Sequence, residues 1–278
     1  MRLAHVSDLH FGHHDPVVSN TLAADLASQR PDLVVVSGDF TQLGTHDEYR
    51  MACRFLESLS APYFAVPGNH DLGRNVVRRF LDPYGLYRRF IAPEIEPVLT
   101  LERPEAHVVL AGLNTTRRAL IDRDWSNGSI NRQQIAALET KFQSAPADAL
   151  RIVVAHHPLM QPALPTLKPT LAVRRSAMAL GAFERMGVRL VLSGHFHLSF
   201  VRKYDPNSVR DGIPRGPRHA ADAPPVLVCQ ASSTISNRLR GNPNAYNVID
   251  IADGKIDIRV REWGEGSWET REEAEVAA

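Results

Sequence analysis

The chain has 278 residues, of which 44% are hydrophobic and 23% charged, and its formal net charge is +1. This composition is typical of a globular protein with a sizeable core, and it excludes a disordered or fibrous chain. The balanced charge gives no evidence of a nucleic-acid-binding domain, because such domains are usually strongly basic. No apolar run approaches the roughly 20 residues of a membrane span, and the first residues lack the apolar core of a signal peptide. We therefore expect a cytoplasmic protein.

Short apolar runs along the chain alternate with segments of helical period. The runs that predict β-strands cover residues 3–6, 33–36, 63–66, 108–113, 152–155 and 190–192. Thr45 with Glu48, and Asn131 with Gln134, have the spacing of helix N-terminal caps. Gly187 follows a third helical stripe as a C-terminal cap. Strands that alternate with helices predict an α/β fold.

The pattern changes after residue 197. Residues 205–225 are rich in Pro, Gly, Arg and Asp and are predicted to form a long loop, followed by strands at 226–229, 246–251 and 256–260. These strands predict an antiparallel addition to the same domain. We therefore predict one domain over residues 1–270, in which 1–200 carry the chemical motifs and 201–270 carry the loop and the antiparallel strands. The acidic residues 271–278 predict a disordered tail.

Polar side chains that can bind metals directly follow five of the predicted strands. They are Asp8 and His10, Asp39, the run Asn69-His70-Asp71, His156, and His195 with His197. Binding sites of open α/β sheets form outside the carboxyl ends of the strands, so we expect these side chains to meet in one crevice. Oxygen and imidazole donors without thiolates suit Mn, Fe, Zn, Co or Mg. Two such ions can share a bridging Asp and activate a water, and no Ser or Cys has the motif of an activated nucleophile.

The order of these motifs resembles the signature of the calcineurin-like metallophosphoesterase superfamily. The chain has Asp-x-His at 8–10, Gly-Asp at 38–39, Gly-Asn-His-Asp at 68–71, His156, and Gly-His-x-His at 194–197. The Ser-Asp-Leu-His start and the His-His-Pro element look most like bacterial class III cyclic-nucleotide phosphodiesterases. The resemblance implies an α/β fold in which two mixed β-sheets pack as a sandwich flanked by helices, with a dinuclear metal centre at one edge.

The resemblance also implies a role for each motif residue. It assigns the first of two divalent or trivalent ions to Asp8, His10, Asp39 and His197, and it assigns the second ion to Asp39 as the bridge with Asn69, His156 and His195. His70 would contact the phosphate and help the leaving oxygen to depart. Asp71 would orient His70 through a hydrogen bond.

The function that we predict is hydrolysis of a small phosphodiester by a metal-bridging hydroxide, with 3′,5′-cyclic nucleotides as a candidate substrate. The alternatives are a nuclease-like or phospholipid-head-group phosphoesterase on the same site, and a non-catalytic scaffold that keeps the fold. A nuclease needs a long basic groove, which is not evident, and a scaffold should have lost ligands. The sequence leaves open the substrate, the metal, the oligomeric state (a homo-oligomer included), and the roles of Arg238, Arg240 and the 205–225 loop.

Overall fold

A computed structural model of the chain describes residues 1–73, 76–118, 126–163, 171–205, 224–271 and 276–277. The helices in these ranges are α1 (Pro16–Gln29), α2 (His46–Glu57), α3 (Val76–Leu81), α4 (Gly85–Phe90), α5 (Arg132–Gln143) and α6 (Ser176–Arg185), and His70–Leu72 form a 3-10 turn. The strands are β1 (Arg2–Val6), β2 (Leu33–Val36), β3 (Tyr63–Ala65), β4 (Val98–Arg103), β5 (Ala106–Leu113), β6 (Leu150–Ala155), β7 (Val188–Ser193), β8 (Phe200–Lys203), β9 (Leu227–Gln230), β10 (Ala245–Ala252), β11 (Lys255–Gly264), β12 (Ser267–Arg271) and β13 (Val276–Ala277).

The strands form two mixed sheets, as predicted. The first has the order β12-β11-β10-β1-β2-β3, and the second has the order β13-β8-β9-β7-β6-β5-β4. In the first sheet β1, β2 and β3 are parallel, and β10 to β12 add antiparallel strands beyond β1. In the second sheet β5, β6, β7 and β9 are parallel. β4 is antiparallel to β5, β8 is antiparallel to β9, and β13 is parallel to β8. Each sheet therefore has a parallel block whose carboxyl ends can carry a site.

The core lies between the two sheets. Leu33, Val35, Ile152, Leu190 and Ile249 are fully buried in one cluster that draws on both sheets. A second cluster joins the first sheet to α1 and α2, and a third joins the second sheet to α5 and α6. The molecule is thus a sandwich of two sheets with helices on both outer faces, as expected.

The caps predicted from the sequence are formed. The Glu48 amide donates to Thr45 Oγ1 at 3.3 Å, and the Glu48 carboxylate accepts from the Thr45 amide at 3.0 Å. Asn131 and Gln134 exchange the same pair of bonds at the start of α5. Gly187 follows α6 with a φ of +69°, a conformation that favours glycine. These local signals are confirmed.

The C-terminal region departs from the prediction in one respect. Arg271 ends β12, and residues 276–277 pair with β8, so the tail predicted to be disordered from 271 onward contains strand residues. Residues 272–275 and 278 lie outside the described residues, as do positions 206–223 of the predicted 205–225 loop. Among the helices of the described ranges, none is long and apolar enough to cross a membrane.

Candidate metal centre

The predicted metal-binding residues come together at the carboxyl ends of parallel strands from both sheets. Asp8 and His10 follow β1, Asp39 follows β2, Asn69 follows β3, His156 follows β6, and His195 and His197 follow β7. The possible ligand atoms of the His and Asp side chains fall into overlapping groups, each within 4.8 Å: Asp8, His10 and His197; Asp8, Asp39 and His156; His10, Asp39 and His70; and His156, His157 and His195.

One set of donor atoms surrounds the position predicted for the first ion. His10 Nε2 lies 3.6 Å from both Asp8 Oδ1 and Asp39 Oδ2. His197 Nε2 lies 3.3 Å from Asp8 Oδ1. Ligands about 2.1 Å from one ion lie about 3 to 3.5 Å from each other, so these distances suit a shared ion.

A second set lies on the other side of Asp39. His156 Nε2 is 3.3 Å from Asp39 Oδ2 and 3.1 Å from Asn69 Oδ1. The His195 ring lies beside His156, with a centroid separation of 5.2 Å. Asp39 Oδ2 therefore faces both sets, which is the position that the predicted bridge requires.

His157 belongs to the same imidazole group but has both ring nitrogens occupied. Nδ1 is 2.7 Å from Thr115 Oγ1, and Nε2 is 2.7 Å from the carbonyl of Ser126. Burial and the neighbouring His156 lower the pKa of His157 to about 3. These contacts suit a supporting residue better than a ligand.

Each carboxylate has one oxygen held by the protein and one directed into the site. Asp8 Oδ2 accepts from the Ser7 hydroxyl at 2.7 Å and from the His195 amide at 2.8 Å. Asp39 Oδ1 accepts from the His70 amide at 2.9 Å. The remaining oxygens, Asp8 Oδ1 and Asp39 Oδ2, are those that lie near the imidazole nitrogens.

Main-chain carbonyls orient two of the imidazoles. His156 Nδ1 lies 2.8 Å from the carbonyl of Ser37, and His197 Nδ1 lies 2.7 Å from the carbonyl of Arg238. A carbonyl can only accept, so each Nδ1 carries a proton and each Nε2 faces the site, where the neutral ring would present a lone pair to a metal ion. This arrangement is common for histidines that bind metals.

Several buried polar atoms of the site have no hydrogen bond to any described residue. They are Asp8 Oδ1 and both ring nitrogens of His10. An unsatisfied buried polar atom costs about 1–3 kcal/mol, so proteins rarely keep several together without a ligand. Oxygen and imidazole donors without thiolates suit Mn, Fe, Zn, Co or Mg. The residues present therefore fit a metal site, and the two donor sets around Asp39 match the two predicted ion positions.

The backbone at the site is strained. Five of the seven predicted ligands have a positive φ: Asp8 at 52°, His10 at 47°, Asp39 at 54°, His195 at 74° and His197 at 57°. Residues other than glycine rarely adopt this region, and those that do cluster at functional sites. The adjacent Gly194 is also required, because a Cβ there would overlap the side chains of Ser7 and Asp8.

Electrostatics keep the two carboxylates ionised. Burial alone would raise the pKa of Asp8, but neighbouring histidines, His197 above all, hold it well below its usual value. Burial would also raise the pKa of Asp39, but the neighbouring histidines, His156 above all, hold it well below its usual value. Burial would lower the pKa of His156, whereas the charge of Asp39 raises it to about 9. Burial lowers the pKa of His195, which favours the neutral form that binds metals.

His70 lies beside these sets in a defined tautomer. Its Nδ1 is 2.7 Å from the carbonyl of Gln42, and its Nε2 is 3.0 Å from Arg238 Nη1. The carbonyl requires a proton on Nδ1, and the guanidinium requires a lone pair on Nε2. Its ring centroid is 4.7 Å from that of His10. The hydrogen bonds thus describe a neutral imidazole at the edge of the site.

The prediction that Asp71 forms a hydrogen bond with His70 was wrong. Asp71 accepts from the amide and the hydroxyl of Thr41, both at 3.0 Å, and from the Gly68 amide at 2.8 Å. In the tight turn that follows Asn69, these two adjacent side chains have different partners, and the Gln42 carbonyl orients His70. Burial, and then the charge of Asp39, raise the pKa of Asp71 to about 7. Asp71 ties the loops after β2 and β3 together.

The sequence left open whether the loop between β9 and β10, which carries Arg238 and Arg240, reaches the site, and the structure places the loop against it. Ser233 Oγ donates to the Asp8 carbonyl at 2.8 Å, and Thr234 exchanges two bonds with Ser7. Its Arg238 contacts both His70 and His197. The sequence signal was the Ser-Ser-Thr run directly after a strand, in the position where the other motifs lie.

Comparison with known proteins assigns the family. The sequence profile described as calcineurin-like phosphoesterase matches residues 1–199. The chain belongs to this family, which confirms the resemblance of its motifs.

The relatives of this chain include named phosphodiesterases. The glycerophosphodiester phosphodiesterase of Enterobacter lignolyticus is 29% identical over 219 residues, covering 73% of each chain. A probable glycerophosphodiester phosphodiesterase of Arcobacter nitrofigilis is 27% identical over 60% of this chain, which spans only 57% of that protein. A cAMP/cGMP dual-specificity phosphodiesterase of Mycobacterium tuberculosis is 27% identical over 76% of this chain and 64% of its own.

Solved structures share the fold at low identity. A purple acid phosphatase from yellow lupin seeds superposes with a TM-score of 0.63 at 12% identity, over 97% of this chain and 52% of the other. GAP50, the anchor in the inner membrane complex of Plasmodium, gives 0.59 at 15% identity, over 98% and 87%. These similarities show the fold alone.

Proposed function

We propose that this chain is a metal-dependent hydrolase of a small phosphodiester. The observation that carries the proposal is the position of Asp39 Oδ2, which lies 3.6 Å from His10 Nε2 and 3.3 Å from His156 Nε2. A single oxygen between two donor sets is what a dinuclear centre requires. Two divalent ions held there, or one divalent and one trivalent, would supply Lewis acidity and activate a water as the nucleophile.

His70 is the residue that we assign to the leaving oxygen. Its Nδ1–H bond to Gln42 holds the ring so that Nε2 points away from that carbonyl and toward Arg238. Nε2 can deliver a proton only after it has been protonated, and Arg238 must then give up its hydrogen bond to that atom. Arg238 and the leaving group therefore compete for the same side of His70.

The substrate class rests on charge and on the relatives. A net charge of +1 favours a small ester over a long nucleic acid. The relatives are named for glycerophosphodiesters and for cyclic nucleotides, so both are candidates, with 3′,5′-cyclic nucleotides as our initial choice. A nuclease or a phospholipid-head-group esterase remains the alternative on the same site. The complete donor set argues against a scaffold.

The test is a substrate screen of the metal-loaded protein. It compares bis(p-nitrophenyl) phosphate, glycerophosphodiesters, cyclic nucleotides and single- and double-stranded DNA, each with and without chelator. We expect chelator-sensitive hydrolysis of the small diesters and slower cleavage of DNA. Preference for DNA would favour the nuclease. A protein that holds two ions and cleaves none of these esters would contradict the proposal.

A further inference from the structure

Two arginines of the β9–β10 loop, Arg238 and Arg240, have no ion pair with an acidic residue in the described part of the chain. Both Arg238 and Arg240 are partly buried. Arg238 donates to the neutral His70 at 3.0 Å, and Arg240 has no hydrogen bond or ion pair to any described residue. A partly buried guanidinium without a counter-ion is unfavourable, because the protein has removed water without replacing its contacts.

Arg238 and Arg240 act on each other and on the site through their charges. The pKa of Arg240 is lowered by burial and then by the charge of Arg238, while Asp8 acts in the opposite direction. His70, which Arg238 contacts, groups with His10 and Asp39 within 4.8 Å. An anion between the arginines would therefore lie beside the metal centre.

Hydrogen bonds fix the backbone of the β9–β10 loop on both sides of the two arginines. Its Ser233 and Thr234 are bonded to the β1 loop, and Asn244 Nδ2 donates to the carbonyls of Ser233 and Ser236 at 3.2 and 3.0 Å. The Arg238 amide donates to Ser236 Oγ at 3.1 Å. Because the backbone is fixed on both sides, the arginines are preorganised for a ligand.

We propose that Arg238 and Arg240 form a subsite for a second anionic group of the substrate, next to the scissile phosphodiester. The inference rests on the proposed function. A diester carries one negative charge, which the metal centre neutralises, whereas the arginines add two positive charges of their own. A phosphate monoester is the best match, because it is dianionic and offers oxygens to two guanidinium forks. A 3′,5′-cyclic nucleotide lacks such a group, so the subsite ranks diesters that carry a phosphate monoester above the cyclic nucleotides that were the initial choice.

The experiment uses two chromogenic diesters that differ by one phosphate. Thymidine 5′-(p-nitrophenyl phosphate) and its 3′-phosphorylated form have the same leaving group and the same scissile bond. We expect the 3′-phosphate to lower KM about tenfold or more in the wild type, the gain of a charge-assisted hydrogen bond. In Arg240→Gln and Arg238→Gln the ratio of the two KM values should fall toward one, and Arg240→Lys should restore part of it.

Arg103→Gln is the matched control. Arg103 forms an ion pair with Asp32 at 3.0 Å. Asp32 directly precedes β2, so the pair lies at the end of the sheet opposite the site. Arg103→Gln removes the same charge and should leave the ratio of the two KM values unchanged. Calorimetric binding of thymidine 3′,5′-bisphosphate against thymidine 5′-monophosphate gives a readout without turnover. If neither ester is cleaved but the bisphosphate binds more tightly through the arginines, the proposed function fails and the subsite stands.

Two results would overturn the subsite. One is equal KM values and equal affinities in the wild type. The other is a loss of rate in both arginine variants that is the same for the two esters, with the ratio unchanged, because the arginines would then bind the scissile phosphate itself.

Discussion

Asp39 is the residue on which both donor sets depend. Its Oδ2 faces His10 and His156, and its Oδ1 holds the amide of His70. Asp39→Ala should therefore release both ions and reduce the rate by more than the roughly 10- to 100-fold loss typical of residues that only support a ligand. Elemental analysis and turnover measure the two effects. Asp47→Ala, whose side chain is 85% exposed, is the control. Near-normal turnover with two ions bound would show that Asp39 does not bridge.

His70 offers a second test at the same scale. His70→Ala should keep both ions and lose rate by about 10²- to 10⁴-fold, the usual contribution of a general acid. The loss should be larger for an alkyl ester than for a p-nitrophenyl ester, because p-nitrophenolate departs without a proton. An equal loss on both esters would leave His70 only a positioning role. Loss of metal would make it a ligand.

Individual residues of the site differ in how far the sequence predicts them. Asp8, His10 and Asp39 lie in short motifs directly after strands, so chain order alone places them. The contact between His70 and Arg238 joins residues 168 positions apart, and no local pattern contains it. The Asp71 assignment failed because adjacency in sequence does not determine which side of a tight turn a side chain takes.

At the scale of elements, the cap of α2 provides a stability test. Thr45→Ala removes the hydroxyl that accepts from the Glu48 amide. Loss of such a cap typically costs about 1 kcal/mol. Denaturant unfolding of the mutant should show this decrease in the free energy of unfolding, with Thr140→Ala on α5 as a hydroxyl control. No change would mean that the Glu48 carboxylate alone holds the turn.

The helices and strands that the sequence did not predict have weaker hydrophobic patterns. The helix α1 has a buried stripe of Val18, Leu22 and Leu26, and Asp15 caps it, but much of the rest is small or polar. β4 lies at the edge of its sheet and is largely exposed, so its alternation is poor. Buried parallel strands such as β2 are apolar throughout, which is why they were recognised.

For the whole molecule, acid stability should depend on Asp250. Burial would raise its pKa, but hydrogen bonds from Arg2 and Arg259 outweigh burial and lower it. Since the folded pKa is depressed, the stabilisation is present above the unfolded value of about 3.9 and is lost as the pH falls through the folded value. The difference in unfolding free energy between wild type and Asp250→Asn should therefore be larger at pH 7 than at pH 3.

Asp257→Asn is the control for that comparison, because Asp257 is 66% exposed and lies 3.7 Å from Arg259. It should change the pH dependence little. A gap between wild type and Asp250→Asn that stays constant from pH 7 to pH 3 would contradict a depressed pKa.

Metal removal should affect both stability and activity. Ions that bind the folded chain more tightly than the unfolded chain raise the free energy of unfolding with their concentration. Chelation should therefore abolish hydrolysis and lower the melting temperature, and adding Mn²⁺ should restore both. Elemental analysis should give close to two ions per chain. A chelated protein that keeps its activity would contradict a dinuclear site.

The left-handed backbone at five of the predicted ligands has a consequence for selection on stability. Each such residue costs on the order of 1 kcal/mol, against a typical total stability of about 5–15 kcal/mol. Glycine at Asp8, His10 or His197 would relieve the strain and remove a ligand. Repeated laboratory selection for heat resistance alone, in the absence of metal, should therefore enrich glycine or asparagine at these positions. The selected proteins would be more thermostable than the wild type and catalytically inactive. Retention of the original residues in that selection would show that the strain is negligible.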